Sequence, residues 1–372
     1  MNDHAYACQH WDIFCRVIDN FGDAGVCWRL AADLASRGQR VRLFIDQPDI
    51  LPRLIGNASS ALLVEVQPWP GTRQRFSDEE IADVVIEAFA CDIPSTYLDE
   101  MNAAQKPIAW INLEYLSAES WVESHHGMPS PHPRYALTKH FYFPGFTSST
   151  GGLLREPELT RLLQSSETIQ ATNPAEPIKL FLFSYEQPNI GRWLESINIG
   201  SLVTTLGVTH CPAKIQIENW LGTQTDHGNL HVKALEFVAQ NEFDALIRQF
   251  DVLFVRGEDS FVRAQWAGKP LIWHIYPQEE DTHLIKLKAF YDRYLDQGVL
   301  SSTQRSIFWE FVLAWNTMHT HKTGDTLAEL WPQLVASLPA LLENARVWRK
   351  HLLTEPDLVT QLRDFVSHLV KC

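Results

Sequence analysis

WDIFCRVIDNFGDAGVCWRLAADLAS, Trp11 to Ser36, decides the fold. WDIFCRVI (Trp11–Ile18) is an apolar run of strand length. DNFGDAG follows as a loop, and VCWRLAADLAS then sets apolar residues at helical spacing until Gly38 stops it. Strand, loop and helix make the opening of a βαβ unit. VRLFID, LLVEVQPW, DVVIEAFA and PIAWINLEYL add short runs of the kind that fill a parallel sheet covered on both faces.

That rhythm holds to residue 165, and the polar segment Gln164–Pro177 reads as a linker. IKLFLFSY, LVTTLGV, LHVKALEFV, DVLFVRG and KPLIWHIYP then open a second α/β series. From Thr282 onward the pattern is helical, with Trp309, Trp315, Trp331 and Trp348 assigned to the core. The expected architecture is α/β with two Rossmann-like domains facing across a cleft. Residues 1–165 form the first and 178–350 the second, and a closing helix over 351–372 returns to the first.

Composition narrows the function. The 372 residues carry 31 basic and 45 acidic side chains, a net charge of −14, which repels phosphate backbones and anionic bilayers. Nucleic-acid and membrane roles are therefore not expected. No apolar run reaches the roughly 18 residues of a membrane span, and MNDHAYACQHWD has neither the basic nor the apolar region of a signal peptide. Cys8, Cys15, Cys27, Cys91, Cys211 and Cys372 show no metal spacing, which fits free thiols in a reducing cytoplasm and no bound metal. His125-His126 reads as solvated loop.

Three constellations carry chemistry. Asp19-Asn20-Phe21-Gly22-Asp23-Ala24-Gly25 sits where ligands bind in a doubly wound sheet, beyond the carboxyl end of a strand. It lacks the dinucleotide glycine spacing, and its two aspartates suit a cationic ligand or general-base work; the same residues would also serve as plain helix caps. In VLFVRGEDSFVRAQWAGKP (Val252–Pro270), a strand ends at Arg256-Gly257, Glu258-Asp259-Ser260 reads as a turn, and a helix follows from Phe261. The free amides at that helix start, with Ser260 and Arg256, suit a diphosphate; a capped helix packed on a sheet is the plainer alternative. Phe237 and Phe243 flank Gln240, the stacking faces and amide of a nucleobase pocket, although such a pair also serves as core.

VIDNFGDAGVCWRLA, VVIEAFACDIP, INLEYLSAE, HGMPSPHP, GGLLRE and RGEDSFVRAQWAGKPLIWHIYPQEED, in collinear order, together resemble the bacterial protein-arginine rhamnosyltransferase (EarP) family. The resemblance implies a glycosyltransferase-B fold and transfer of L-rhamnose, with inversion, from dTDP-β-L-rhamnose to an arginine of elongation factor P. It implies no metal and no cofactor. The modified factor relieves ribosomes stalled at polyproline. By motif position it makes Asp23 the general base, with Asp19 supporting the loop and the acceptor side and Asn20, Phe21 and Gly22 binding substrate. Glu258 becomes the second essential acid. Asp259 and Ser260 hold the diphosphate or sugar, and Arg256 the nucleotide. Phe237, Gln240 and Phe243 form the thymine pocket, and Tyr185 and Tyr276 line the donor site. A glycosyltransferase of the same fold with a small-molecule or glycan acceptor is the alternative.

Overall fold

A computed structural model describes residues 8–18, 21–56, 63–72, 74–165, 177–222, 226–317 and 323–370. Asp19 and Asn20 lie outside these residues, as does most of the expected linker. The chain divides into two compact units, residues 1–165 with 355–372, and residues 166–354.

The first unit contains β1 (His10–Cys15), β2 (Arg40–Ile45), β3 (Val64–Pro68), β4 (Val84–Ala88), β5 (Ala109–Leu113), β6 (Pro129–Pro131) and β7 (Thr138–Tyr142). Its helices are α1 (Phe21–Ser36), α2 (Leu51–Ile55), α3 (Ser95–Ala103), α4 (Trp121–His125), α5 (Pro157–Ser165) and, from the chain's end, α14 (Leu358–Val370). The sheet order is β3-β2-β1-β4-β5-β7-β6, parallel except for β6 against β7. β1, β4 and β5 are buried throughout, as expected of strands covered on both faces. Alternation splits their side chains between two cores. Trp11, Ile13 and Cys15 pack with α1 and α14, while Phe14 stacks on Phe44 at 4.7 Å beside Tyr97.

The GGLLRE motif explains how α14 docks. Gly152 has φ +72°, and a Cβ there would come within 2.8 Å of the Pro356 carbonyl. Glycine alone allows that approach. Arg155 donates to the Glu355 carbonyl at 3.0 Å, and Arg37 pairs with Asp357 at 2.7 Å. Leu358, Val359, Leu362 and Val366 then complete the core.

The second unit contains β8 (Ile178–Leu182), β9 (Thr204–Val208), β10 (Asp226–His227), β11 (Leu230–Ala234), β12 (Val252–Arg256) and β13 (Leu271–His274), in the order β10-β11-β9-β8-β12-β13. Its helices are α6 (Ile190–Asn198), α7 (Pro212–Leu221), α8 (Gln240–Ile247), α9 (Asp259–Ala267), α10 (Thr282–Leu295), α11 (Ser302–Asn316), α12 (Thr323–Ala336) and α13 (Leu338–Leu352). Trp193 meets Trp315 at 5.1 Å and Trp331 at 5.5 Å; Trp348 is buried as well. Trp309 differs from expectation: it is half-buried, its ring tilted at 49° to that of Tyr291 6.1 Å away.

Three local readings need correction. α1 begins at Phe21, so Phe21, Gly22, Asp23 and Gly25 form its first turn instead of a loop. α9 likewise begins at Asp259, taking Asp259 and Ser260 into the helix. Asp and Ser favour a first turn, where the amides lack helical partners, and so resemble loop residues in sequence. His126 is half-buried, not solvated. Its Nδ1 accepts from the Phe143 amide at 3.1 Å, and burial lowers its pKa.

Candidate active site

In each sheet the strand order reverses beside the first strand of the unit, between β1 and β4 in one and between β8 and β12 in the other. Open α/β sheets bind ligands at such points, beyond the carboxyl ends of the strands. The candidate residues gather at both.

In the first unit Asp23 is buried, and both its oxygens are engaged. Oδ2 accepts from the Ile18 amide at 2.8 Å, and Oδ1 from the Tyr115 hydroxyl at 3.2 Å. The carboxylate therefore turns back from the helix start over the β1 exit. Tyr115, past the end of β5, was not singled out from sequence. Its ring stacks on Phe89 at 4.2 Å and 11°. Phe89, Ala90 and Asp92 all have φ between 52° and 57°, left-handed backbone that bulky residues avoid.

Surrounding contacts hold that backbone. The Cys91 thiol donates to the Phe14 carbonyl at 3.3 Å, and the Asp92 amide to Glu87 at 3.3 Å. Ala90 is exposed. Ala90→Gly is therefore expected to raise stability by about 1 kcal/mol, the left-handed cost of a Cβ, as a higher urea midpoint. The neighbouring thiols are inert. A hydrogen bond with Cys15, together with burial, pushes the Cys27 pKa up, and burial raises Cys91 to about 12.

In the second unit Arg256 ends β12 with its guanidinium 4.8 Å over Phe183 and 4.6 Å over Tyr185. Tyr276 meets Tyr185 edge to face at 5.7 Å and is half exposed. Phe183 is a second residue that sequence reading passed over. The period-two alternation of β8, carried three residues past its end, puts Phe183 and Tyr185 on one side and was the available signal.

Glu258 is the N-cap of α9, and its side chain makes no capping bond. The Ser260 hydroxyl does not point outward; it donates to the Arg256 carbonyl, leaving the backbone amides of the first turn as the donors an anion could use. The Asp259 Oδ2 accepts from Gln240 at 2.8 Å and lies 3.3 Å from Arg263. Arg263 also pairs with Asp244 at 2.6 Å, so one guanidinium is shared between two carboxylates. Gln240 spends an amide proton on that contact, Phe243 packs edge-on against Phe181 at 5.7 Å, and Phe237 is 41% exposed. Trp273 stacks on Phe261 at 3.9 Å and donates to the Gly257 carbonyl at 3.0 Å, fixing the loop ahead of Glu258.

His274, at the end of β13, is buried. Burial first, then Arg256 and His283, push its pKa down to about 3. An unfolded histidine titrates near 6.5, so between about pH 6.5 and 3 the unfolded chain binds a proton that the folded chain does not. Stability present above that window is lost as pH falls through it, by up to about 1.4 kcal/mol per unit. Urea unfolding of His274→Phe beside the parent at pH 7 and 4.5 should show the parent losing about 2–3 kcal/mol more. A pH-independent gap between the two proteins would contradict this.

Among the described residues no helix is long and apolar enough to cross a membrane. Residues 11–367 match the family described as Elongation-Factor P (EF-P) rhamnosyltransferase EarP. A protein-arginine rhamnosyltransferase of Pseudomonas putida is 40% identical over 380 residues, covering 95% of this chain and 98% of that protein. One from Neisseria meningitidis serogroup B is 34% identical over 413 residues, with 99% and 98% covered. A solved structure described as the structural basis for EarP-mediated arginine glycosylation of translation elongation factor EF-P aligns at TM-score 0.65 and 27% identity, covering 97% of this chain and 99% of its own. The glycosyltransferase VinC, at TM-score 0.56 and 12% identity over 98% of this chain and all of its own, shares the fold. The family match over residues 11–367 and relatives up to 40% identical over nearly the whole chain show that this chain belongs to the EarP family of elongation factor P rhamnosyltransferases, and its two sheet units have the glycosyltransferase-B fold.

Proposed function

We propose that this protein transfers L-rhamnose from dTDP-β-L-rhamnose to a guanidinium nitrogen of one arginine of elongation factor P, inverting the anomeric centre, without a metal, in the cytoplasm. The observation that carries the acceptor side is Asp23, a buried carboxylate held by the Ile18 amide and the Tyr115 hydroxyl. Held in that way, it keeps one charge and a fixed direction for a guanidinium, which carboxylates bind by paired hydrogen bonds. Family membership supports the choice of arginine.

A guanidinium has a pKa of about 13.8, so a carboxylate does not deprotonate it before attack. Asp23 instead orients the group and polarises the attacking nitrogen, and proton loss accompanies or follows C–N bond formation. The nitrogen attacks the anomeric carbon opposite the diphosphate, through an oxocarbenium-like transition state of the kind glycosidases use. Charge growing on the leaving diphosphate is met by the first-turn amides of α9 and by Arg256, fixed dipoles and a cation that need no reorganisation. Glu258, at the α9 N-cap, is the donor-side acid. Phe183, Phe237, Phe243 and Gln240 hold the thymine, with Tyr185 and Tyr276 along the donor.

The test is intact-mass spectrometry of elongation factor P after incubation with the purified protein and dTDP-rhamnose. One deoxyhexose on a single arginine is the expected result. No mass gain, with transfer to a small-molecule or glycan acceptor instead, would overturn the assignment of acceptor and leave the family's fold in place.

A further inference from the structure

β12 lies between β8 and β13, with Arg256 in register opposite His274. Just past β8, the Ser184 hydroxyl reaches His274 Nδ1 at 2.7 Å, and both residues are almost fully buried. The two strands flanking β12 are therefore tied to each other at its carboxyl end, where Arg256 leaves the sheet. The imidazole stands perpendicular to the Tyr185 ring, 5.2 Å away at 89°, with Trp315 at 6.3 Å. Asn316 of α11 brackets it, accepting from the Ile275 amide at 3.0 Å and donating to the Trp273 carbonyl at 2.9 Å.

His274 Nε2 is buried with no hydrogen-bond partner among the described residues. An unsatisfied buried nitrogen costs about 1–3 kcal/mol, and a phenyl ring would fill the same space without it. Packing alone therefore does not select imidazole here; the bond to Ser184 does. That bond fixes the backbone of the next residue, Tyr185, whose ring carries the Arg256 guanidinium.

We propose that His274 is a positioning residue of the donor site, tying Ser184 across β12 so that Tyr185 and Arg256 are held ready for the nucleotide diphosphate. This rests on the donor reading given above.

The test is calorimetric binding of thymidine diphosphate to the full-length protein, with donor and acceptor kinetics alongside. His274→Phe and Ser184→Ala are each expected to weaken thymidine diphosphate by about tenfold, the scale of one lost hydrogen bond. Donor KM should rise in step, while the KM for elongation factor P and the thermal midpoint stay near the parent values. The double variant should be no weaker than His274→Phe, because both changes remove one bond. His274→Asn, whose Oδ1 can accept from Ser184, should recover most of the affinity.

Parent-like affinity in both single variants would overturn the proposal. So would losses that multiply in the double variant, or an Asn variant as weak as the Phe variant. A parent protein that binds no thymidine diphosphate at all would remove the donor reading, and this inference with it. Normal nucleotide binding by the parent with unaltered variants would remove this inference alone.

Discussion

Asp23→Asn is expected to lower single-turnover rhamnosylation of elongation factor P by about a thousandfold, within the range for a positioned acid–base group. Thymidine nucleotide affinity should not change, because the residues proposed to hold the nucleotide belong to the other unit. Asn is close to isosteric: its Oδ1 can accept from the Ile18 amide and its Nδ2 can donate to the Tyr115 hydroxyl, at the positions where Asp23 now accepts both bonds at 2.8 and 3.2 Å. The loop should therefore keep its conformation, and the lost quantity is the negative charge. Without it, nothing at this position aligns a guanidinium electrostatically or takes the proton released on C–N bond formation. Quench-flow with intact-mass readout would measure the effect, and a variant as fast as the parent would remove Asp23 from the mechanism.

The second large effect is on folding. Asp12→Ala should destabilise the first unit by about 3–5 kcal/mol, the cost of leaving a buried charge without its partner. Asp12 is fully buried and accepts a fork of two bonds from Arg42, at 2.7 and 2.6 Å, as well as the Tyr97 hydroxyl. Removing the carboxylate leaves the Arg42 guanidinium in a site walled by Phe44 and Tyr97, with the Glu80 carbonyl as a remaining acceptor. Domains of this size have about 5–15 kcal/mol in total, so the loss is a large share. Hydrogen exchange at the β1 and β2 amides reads it locally, and protection should fall by two to three orders of magnitude, about 1.4 kcal/mol for each. Replacing both partners by apolar residues of matching volume, Asp12→Leu with Arg42→Met, should recover most of the loss. Unchanged protection in Asp12→Ala would show that the pair contributes little.

Much of this protein follows from local pattern alone. Short apolar runs followed by helical spacing mark β1, β4, β5, β12 and β13, because burial on both faces leaves no alternation to interpret. Polar and glycine-bearing stretches at strand exits point to Asp23 and to Arg256–Ser260, since chemistry in such sheets collects at carboxyl ends. Helix starts are the weak point. Phe21–Gly25 and Asp259–Ser260 read as loop because first-turn residues favour turn-forming side chains, and only the backbone distinguishes the two.

What the tertiary structure alone decides is which distant residues meet. Tyr115 reaches Asp23 across 92 positions and Ser184 reaches His274 across 90, because parallel strands need long crossovers and their neighbours are remote in sequence. The contacts of Asp259 with Arg263 and Gln240, the left-handed backbone under Phe89, and the inward turn of the Ser260 hydroxyl are likewise set by packing. Residue type and spacing were enough to single out the two strand exits, after β1 and after β12. The direction of each functional group, and therefore what it can do, depends on sheet order and on side chains contributed by strands far away along the chain.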